Sequence, residues 1–156
     1  MKKILLLLAL FLILTGSLFA LDGAFVGLGA ELNACSREGV AAGGVLSFGL
    51  DINQLFAAGV KTAFSHNMDT VAVLEPAAFF RFYLPLSFRG PFVQGEAGAA
   101  VFFEDGETFP VFSGGLAVGW RIPLGKNWYV EPAARGGYPY MWAVSVTAGF
   151  KWDINK

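Results

Sequence analysis

Apolar and polar positions alternate with a period of two along most of this chain, in blocks of roughly 9–14 residues bounded by turn chemistry. Eight such blocks can be read: 23–33, 40–51, 55–66, 71–84, 92–103, 111–122, 127–136 and 140–152. In the last, Tyr140, Trp142, Val144, Val146, Ala148, Phe150 and Trp152 alternate with Met141, Ala143, Ser145, Thr147, Gly149 and Lys151. One face is bulky and apolar; the other is small or polar. The second block repeats this with Leu46, Phe48 and Leu50 against Gly43, Ser47, Gly49 and Asp51. In the sixth, Phe112, Leu116, Val118, Trp120 and Ile122 oppose Ser113, Gly115, Ala117, Gly119 and Arg121. The fifth is less regular, because Phe102 and Phe103 fall on opposite faces. Glycine recurs too often inside the blocks for helices, so the period predicts strands.

The connections alternate in kind as well. Ile52-Asn53-Gln54 and Pro123-Leu124-Gly125-Lys126 are tight, and Pro85 to Pro91 is somewhat longer. At the opposite ends lie 34–39, 67–70, 104–110 and 137–139, all modest and polar or Gly-rich. An even number of strands leaves both termini on one side, as outer-membrane barrels require. The predicted fold is therefore all-β: a closed, antiparallel, up-and-down eight-stranded transmembrane barrel. One echo is internal: Glu75-Pro76-Ala77-Ala78 returns as Glu131-Pro132-Ala133-Ala134, each followed by an arginine of the same parity, Arg81 and Arg135. Pro76 and Pro132 cannot donate a ladder hydrogen bond, so each is expected at a bulge or bend.

Charge sharpens the picture. Glu31, Asp51, Lys61, Glu75, Arg81, Glu96, Arg121, Glu131, Arg135 and Lys151 all share the face opposite the bulky one. An Arg or Lys turned to lipid at the bilayer centre costs about 2–4 kcal/mol. These five acids and five bases are therefore expected to point inward and form a lumen charge network, with Gly43, Ala63, Gly98, Gly115, Gly119 and Ala133 leaving them room. If strand one runs outward, Phe48, Phe56, Phe80, Phe82, Trp120, Trp128 and Trp152 lie near the periplasmic rim. Phe64, Phe103, Phe112, Tyr140 and Trp142 then lie near the outer rim. Trp120, Trp128, Trp142, Trp152 and Tyr140 are thus the expected membrane-interface aromatics, since barrels place aromatic girdles at both interfaces.

The first twenty residues read differently. Lys2 and Lys3 precede the apolar run Ile4–Leu14, and small or polar residues lead to Ala20. That is the pattern of a secretory signal peptide over 1–20, with the barrel domain over 21–156. The apolar run is about half of the ~20 residues that a spanning helix needs. The single Cys35 excludes an intrachain disulfide, and a net charge of −1 without a Lys/Arg cluster argues against nucleic acid as a partner.

The whole mature chain resembles, in pattern, the small eight-stranded outer-membrane barrels of the OmpA-transmembrane-domain, OmpX and OmpW class. The most specific likeness is a C-terminal insertion signal, polar-x-Gly-x-x-apolar-x-apolar, matched by Thr147, Gly149, Trp152 and Ile154. Such barrels usually end on an aromatic residue, whereas this chain ends Ile154-Asn155-Lys156. The resemblance implies a bacterial outer-membrane location, outer-membrane lipid as surroundings, and periplasmic chaperones and barrel-assembly machinery as transient partners. No peptidoglycan-binding domain is expected after the barrel, and a monomer is expected.

Candidate chemistry is sparse. Ser65, His66 and Asp69 are the residue types of an acyl-transfer triad, but sequence neighbours seldom form one, and no enzyme activity is expected. No metal-ligand spacing or phosphate-binding loop is present, so no cofactor is expected. Three functions fit: a structural or surface-interaction barrel with a charge-plugged lumen, a narrow channel for small or apolar solutes, and a soluble lipocalin-like carrier with the apolar face inward. The last would put the Gly/Ala-rich face in water, which calls for far more charge.

Overall fold

Alternating side chains force each block into an extended strand, and one bulky face per strand bends the sheet until it closes. The computed structural model describes residues 21–35, 39–67, 71–84, 90–104 and 106–154; the expected leader, 1–20, lies outside them. The strands are β1 (Gly23–Cys35), β2 (Gly39–Asp51), β3 (Phe56–His66), β4 (Ala72–Tyr83), β5 (Pro91–Glu104), β6 (Glu107–Trp120, resumed after Arg121 by Ile122–Pro123), β7 (Trp128–Tyr138) and β8 (Tyr140–Asp153). Each pairs antiparallel with its sequence neighbour, β6 also pairs with β7, and β1 pairs with β8 from Gly23↔Asp153 to Cys35↔Tyr140. The sheet is thus a closed eight-stranded up-and-down barrel. Among the described residues there is no helix long and apolar enough to cross a membrane, which says nothing about strands.

The bulky face points outward on every strand. Leu28, Leu46, Val60, Phe64, Leu116, Val118 and Val146 are all exposed, whereas Glu31, Lys61, Glu75 and Arg81 are buried. The inverted arrangement of a lipocalin-like carrier is not adopted. Both described chain ends lie at the end with the tight turns (the turn end), where Asn53 Oδ1 accepts from the backbone N–H groups of Leu55 and Phe56. At the opposite, loop end the strands run further than the sequence reading: Gly137 and Tyr138, read as part of a loop, continue β7 and pair with β6. Likewise residues 107–110, read as part of a loop, belong to β6: Glu104 pairs with Glu107, and the strand runs on from there.

The two prolines also act differently from the expected bulges. Between β4 and β5 the pairing passes from Leu74↔Val101 to Ala77↔Gly98 without a change of register. Between β6 and β7 it passes from Gly119↔Ala133 to Ile122↔Val130, again in register. Pro76 and Pro132 sit in these gaps. No residue has been inserted; a missing N–H has removed a bond. The one register shift in the β1–β8 pairing is at Ala34/Cys35, where Met141 is the extra residue opposite.

Gly149 shows how tightly the interior is filled. A Cβ there would stand 2.2 Å from the Tyr129 ring and 2.5 Å from the Val26 carbonyl oxygen. The same carbonyl accepts a hydrogen bond from the Tyr129 hydroxyl at 3.1 Å. Neither neighbour can yield, because one is backbone and the other is held by it. Gly149→Ala is expected to lower the unfolding free energy by about 1–3 kcal/mol, read by denaturant titration in lipid vesicles.

Candidate functional site

Inward residues of all eight strands meet in the lumen, which is layered. At the turn end Phe25, Ala57, Phe79, Tyr83, Phe92 and Tyr129 form a buried cluster. Two guanidinium groups are laid against its rings. Arg81 lies 3.8 Å from the Phe92 centroid, and Arg121 lies 4.0 Å from Phe25 and 4.4 Å from Tyr129. At the loop end Cys35, Val71, Val73, Ala100, Phe102 and Tyr140 form a second cluster. The charged side chains occupy the space between and reach into the first layer.

Those charges form one connected set. Lys151 Nζ is 3.0 Å and Arg121 Nη1 is 3.8 Å from the carboxylate of Asp51, which is fully buried. Arg121 Nε donates to Glu131 at 2.7 Å, and Arg81 donates to both oxygens of Glu131 at 2.9 and 2.7 Å. Arg81 Nε donates to Gln94 at 2.8 Å, and Gln94 Nε2 donates to Glu96 at 2.7 Å. Glu96 is paired with Lys61 and lies 3.7 Å from Arg135. Arg135 donates to both oxygens of Glu75, at 2.8 and 2.6 Å, and to Glu31 at 2.8 Å. Ser113 donates to Glu75, and Asn33 to Glu31. A buried charge is tolerated only when paired and hydrogen-bonded, and each of the ten has an opposite charge beside it.

The internal echo acquires a meaning here. Each Glu-Pro-Ala-Ala copy supplies the glutamate for the other copy's arginine: Glu75 holds Arg135, and Glu131 holds Arg81. Both contacts are two-pronged, the geometry in which guanidinium and carboxylate match best. Together they tie β4 to β7 across the lumen. About 50 Å³ of free space remains among Glu31, Lys61, Arg81, Glu96, Glu131 and Arg135, enough for a few waters.

The aromatic residues divide. Trp120, Trp128 and Trp152 are exposed on the outer wall at the turn end, where Trp128 meets Phe150 and Trp152 meets Phe48, and Trp142 is exposed toward the loop end. Tyr140 is a correction. It is only 3% exposed, points into the loop-end cluster and lies under the Arg135 guanidinium at 4.9 Å, while Met141 is 64% exposed. The extra residue at Met141 flips the parity of the strand before it, so Tyr140 cannot share the face of Trp142. Of the insertion-signal residues, Thr147 and Gly149 face inward and Trp152 and Ile154 are exposed. Ser65 is buried while His66 is exposed, on opposite faces of β3, and Asp69 lies outside the described residues. They are not assembled into a triad. No cluster of metal-binding side chains occurs among the described residues.

No protein-family model and no curated protein matches the chain. Solved structures do. Neisserial surface protein A superposes with a TM-score of 0.57 at 14% identity, covering 83% of this chain and 94% of that one. The N-terminal barrel domain of Pseudomonas aeruginosa OprF gives 0.55 at 14% identity, covering 85% and 98%. Ail of Yersinia pestis gives 0.54 at 12% identity, covering 84% and 99%. The fold is that of the small eight-stranded outer-membrane barrels. At such identities the likeness lies in strand number, order and closure.

Proposed function

We propose that the protein is an integral outer-membrane β-barrel whose lumen is plugged by its own charges and rings, serving a structural or surface-interaction role. The observation that carries this is the connected set of ion pairs from Lys151 to Glu31, joined midway by the hydrogen bonds of Gln94, which fills the lumen together with two apolar layers. An eight-stranded barrel is just wide enough for side chains to fill, and the cavity among the central charges here is only about 50 Å³. The outward apolar belt, with tryptophans toward its ends, suits a hydrocarbon layer rather than water. On this reading residues 1–20 direct export, the turn end faces the periplasm, and chaperones and assembly machinery deliver the chain to outer-membrane lipid.

Two measurements test the proposal. The refolded protein should migrate differently with and without heating in detergent gels, the behaviour of a closed barrel. In planar bilayers it should then give no stable conductance. Reproducible single-channel steps from the heat-modifiable form would overturn the plug and favour a narrow channel for small solutes.

A further inference from the structure

Two ladder gaps border one hairpin. Pro76 interrupts β4–β5 on one flank of the β5–β6 hairpin, and Pro132 interrupts β6–β7 on the other. In an antiparallel ladder, opposite residues alternate between exchanging both bonds and exchanging none. Pro132 stands opposite Trp120 in a bond-exchanging pair and has no N–H to give, which removes that pair and the next, Arg121 with Glu131. The same alternation makes Leu116 and Val118 bond to β7, while Gly115 and Ala117 bond to β5.

The β6–β7 seam is short as well as interrupted. Only Gly114–Gly119 and Ile122–Pro123 pair with β7, whereas Glu107–Ser113 pair with β5 alone. The closing seam of the barrel, β1–β8, runs in contrast from Gly23 to Cys35. The wall is also thin here. Ala133, Ala134 and Ser145 line the lumen cavity and also a shallow apolar depression on the outer wall, bounded by Val118, Trp120 and Val146.

We infer that the barrel wall parts at the β6–β7 seam: the β5–β6 hairpin is a panel that swings from β7 at Pro132 and joins the lumen cavity to the bilayer side. The inference rests on the membrane-barrel reading above. It accommodates a lumen closed along its axis, because the opening is lateral.

Residue-resolved amide hydrogen exchange of the refolded protein in phosphatidylcholine nanodiscs tests it. The amides of Leu116 and Val118 should exchange at least tenfold faster than those of Gly115 and Ala117, their neighbours bonded to β5. Segments 26–31 and 146–150 of the closing seam should be slow throughout. Pro132→Val restores an N–H and should slow Leu116 and Val118 severalfold. Equal rates at neighbouring β6 residues, or no response to Pro132→Val in a folded variant, would overturn the inference. Should that variant not fold, the comparison within the wild-type strand still decides. Absence of protection in every strand would instead count against the barrel reading.

Discussion

Replacing Glu131 by leucine should lower the unfolding free energy of the inserted barrel by about 3–5 kcal/mol, the range for removing one partner of a buried ion pair. Glu131 is the acid shared by two buried arginines, accepting two bonds from Arg81 and one from Arg121. Without it, two guanidinium groups remain among aromatic rings: Arg81 keeps only its neutral partners Gln94 and Tyr83, and Arg121 keeps Asp51 at 3.8 Å. The contacts with Phe92 and Phe25 offset only part of that, since a desolvated cation on a ring gains about 2 kcal/mol. The loss should therefore be larger than for any single acid at the exposed loop-end tip, such as Glu107. Reversible urea unfolding in vesicles measures it. Adding Arg81→Met to the leucine variant should recover part of the loss, because one stranded charge is removed with its partner. A leucine variant as stable as the wild type would mean that the arginines are hydrated, and the plug reading would lose its basis.

Much of this interior was legible because period-two alternation leaves only two faces. Once Glu75 and Arg81, or Glu131 and Arg135, share parity on one strand, the face that carries them cannot also be the lipid face. The inward rings were not read, because bulky apolar side chains served as the marker of the outside. Parity alone would have found them: Phe79 and Tyr83 flank Arg81 two residues away on either side, Phe92 precedes Gln94 by two, and Tyr129 precedes Glu131 by two. Tyr140 escaped for the opposite reason. A one-residue bulge leaves no mark in composition, yet it reverses every assignment beyond it. The crossed pairing of the two Glu-Pro-Ala-Ala copies was beyond reach as well. It depends on β4 and β7 facing each other across the lumen, which only the closed barrel decides.

Leu28→Arg should cost about 2–4 kcal/mol, the depth-dependent penalty for a cation at the bilayer midplane. Leu28 is 66% exposed on β1, whose ends pair with Trp152 at Ala24 and with Trp142 at Ala34. It therefore sits roughly midway between the two tryptophan levels. Leu124→Arg, in the exposed turn beyond β6 at the turn end, should cost about 0–1 kcal/mol, because a side chain at the rim reaches water. Both residues are exposed leucines, so a soluble barrel would treat the two substitutions alike, each within about 0.5 kcal/mol of the parent. Only a hydrocarbon layer around the middle of the wall separates them. Urea unfolding of both variants in the same vesicles gives the difference directly. A gap of less than about 1 kcal/mol would place Leu28 in contact with water and remove the physical reason for ten charges to be inside.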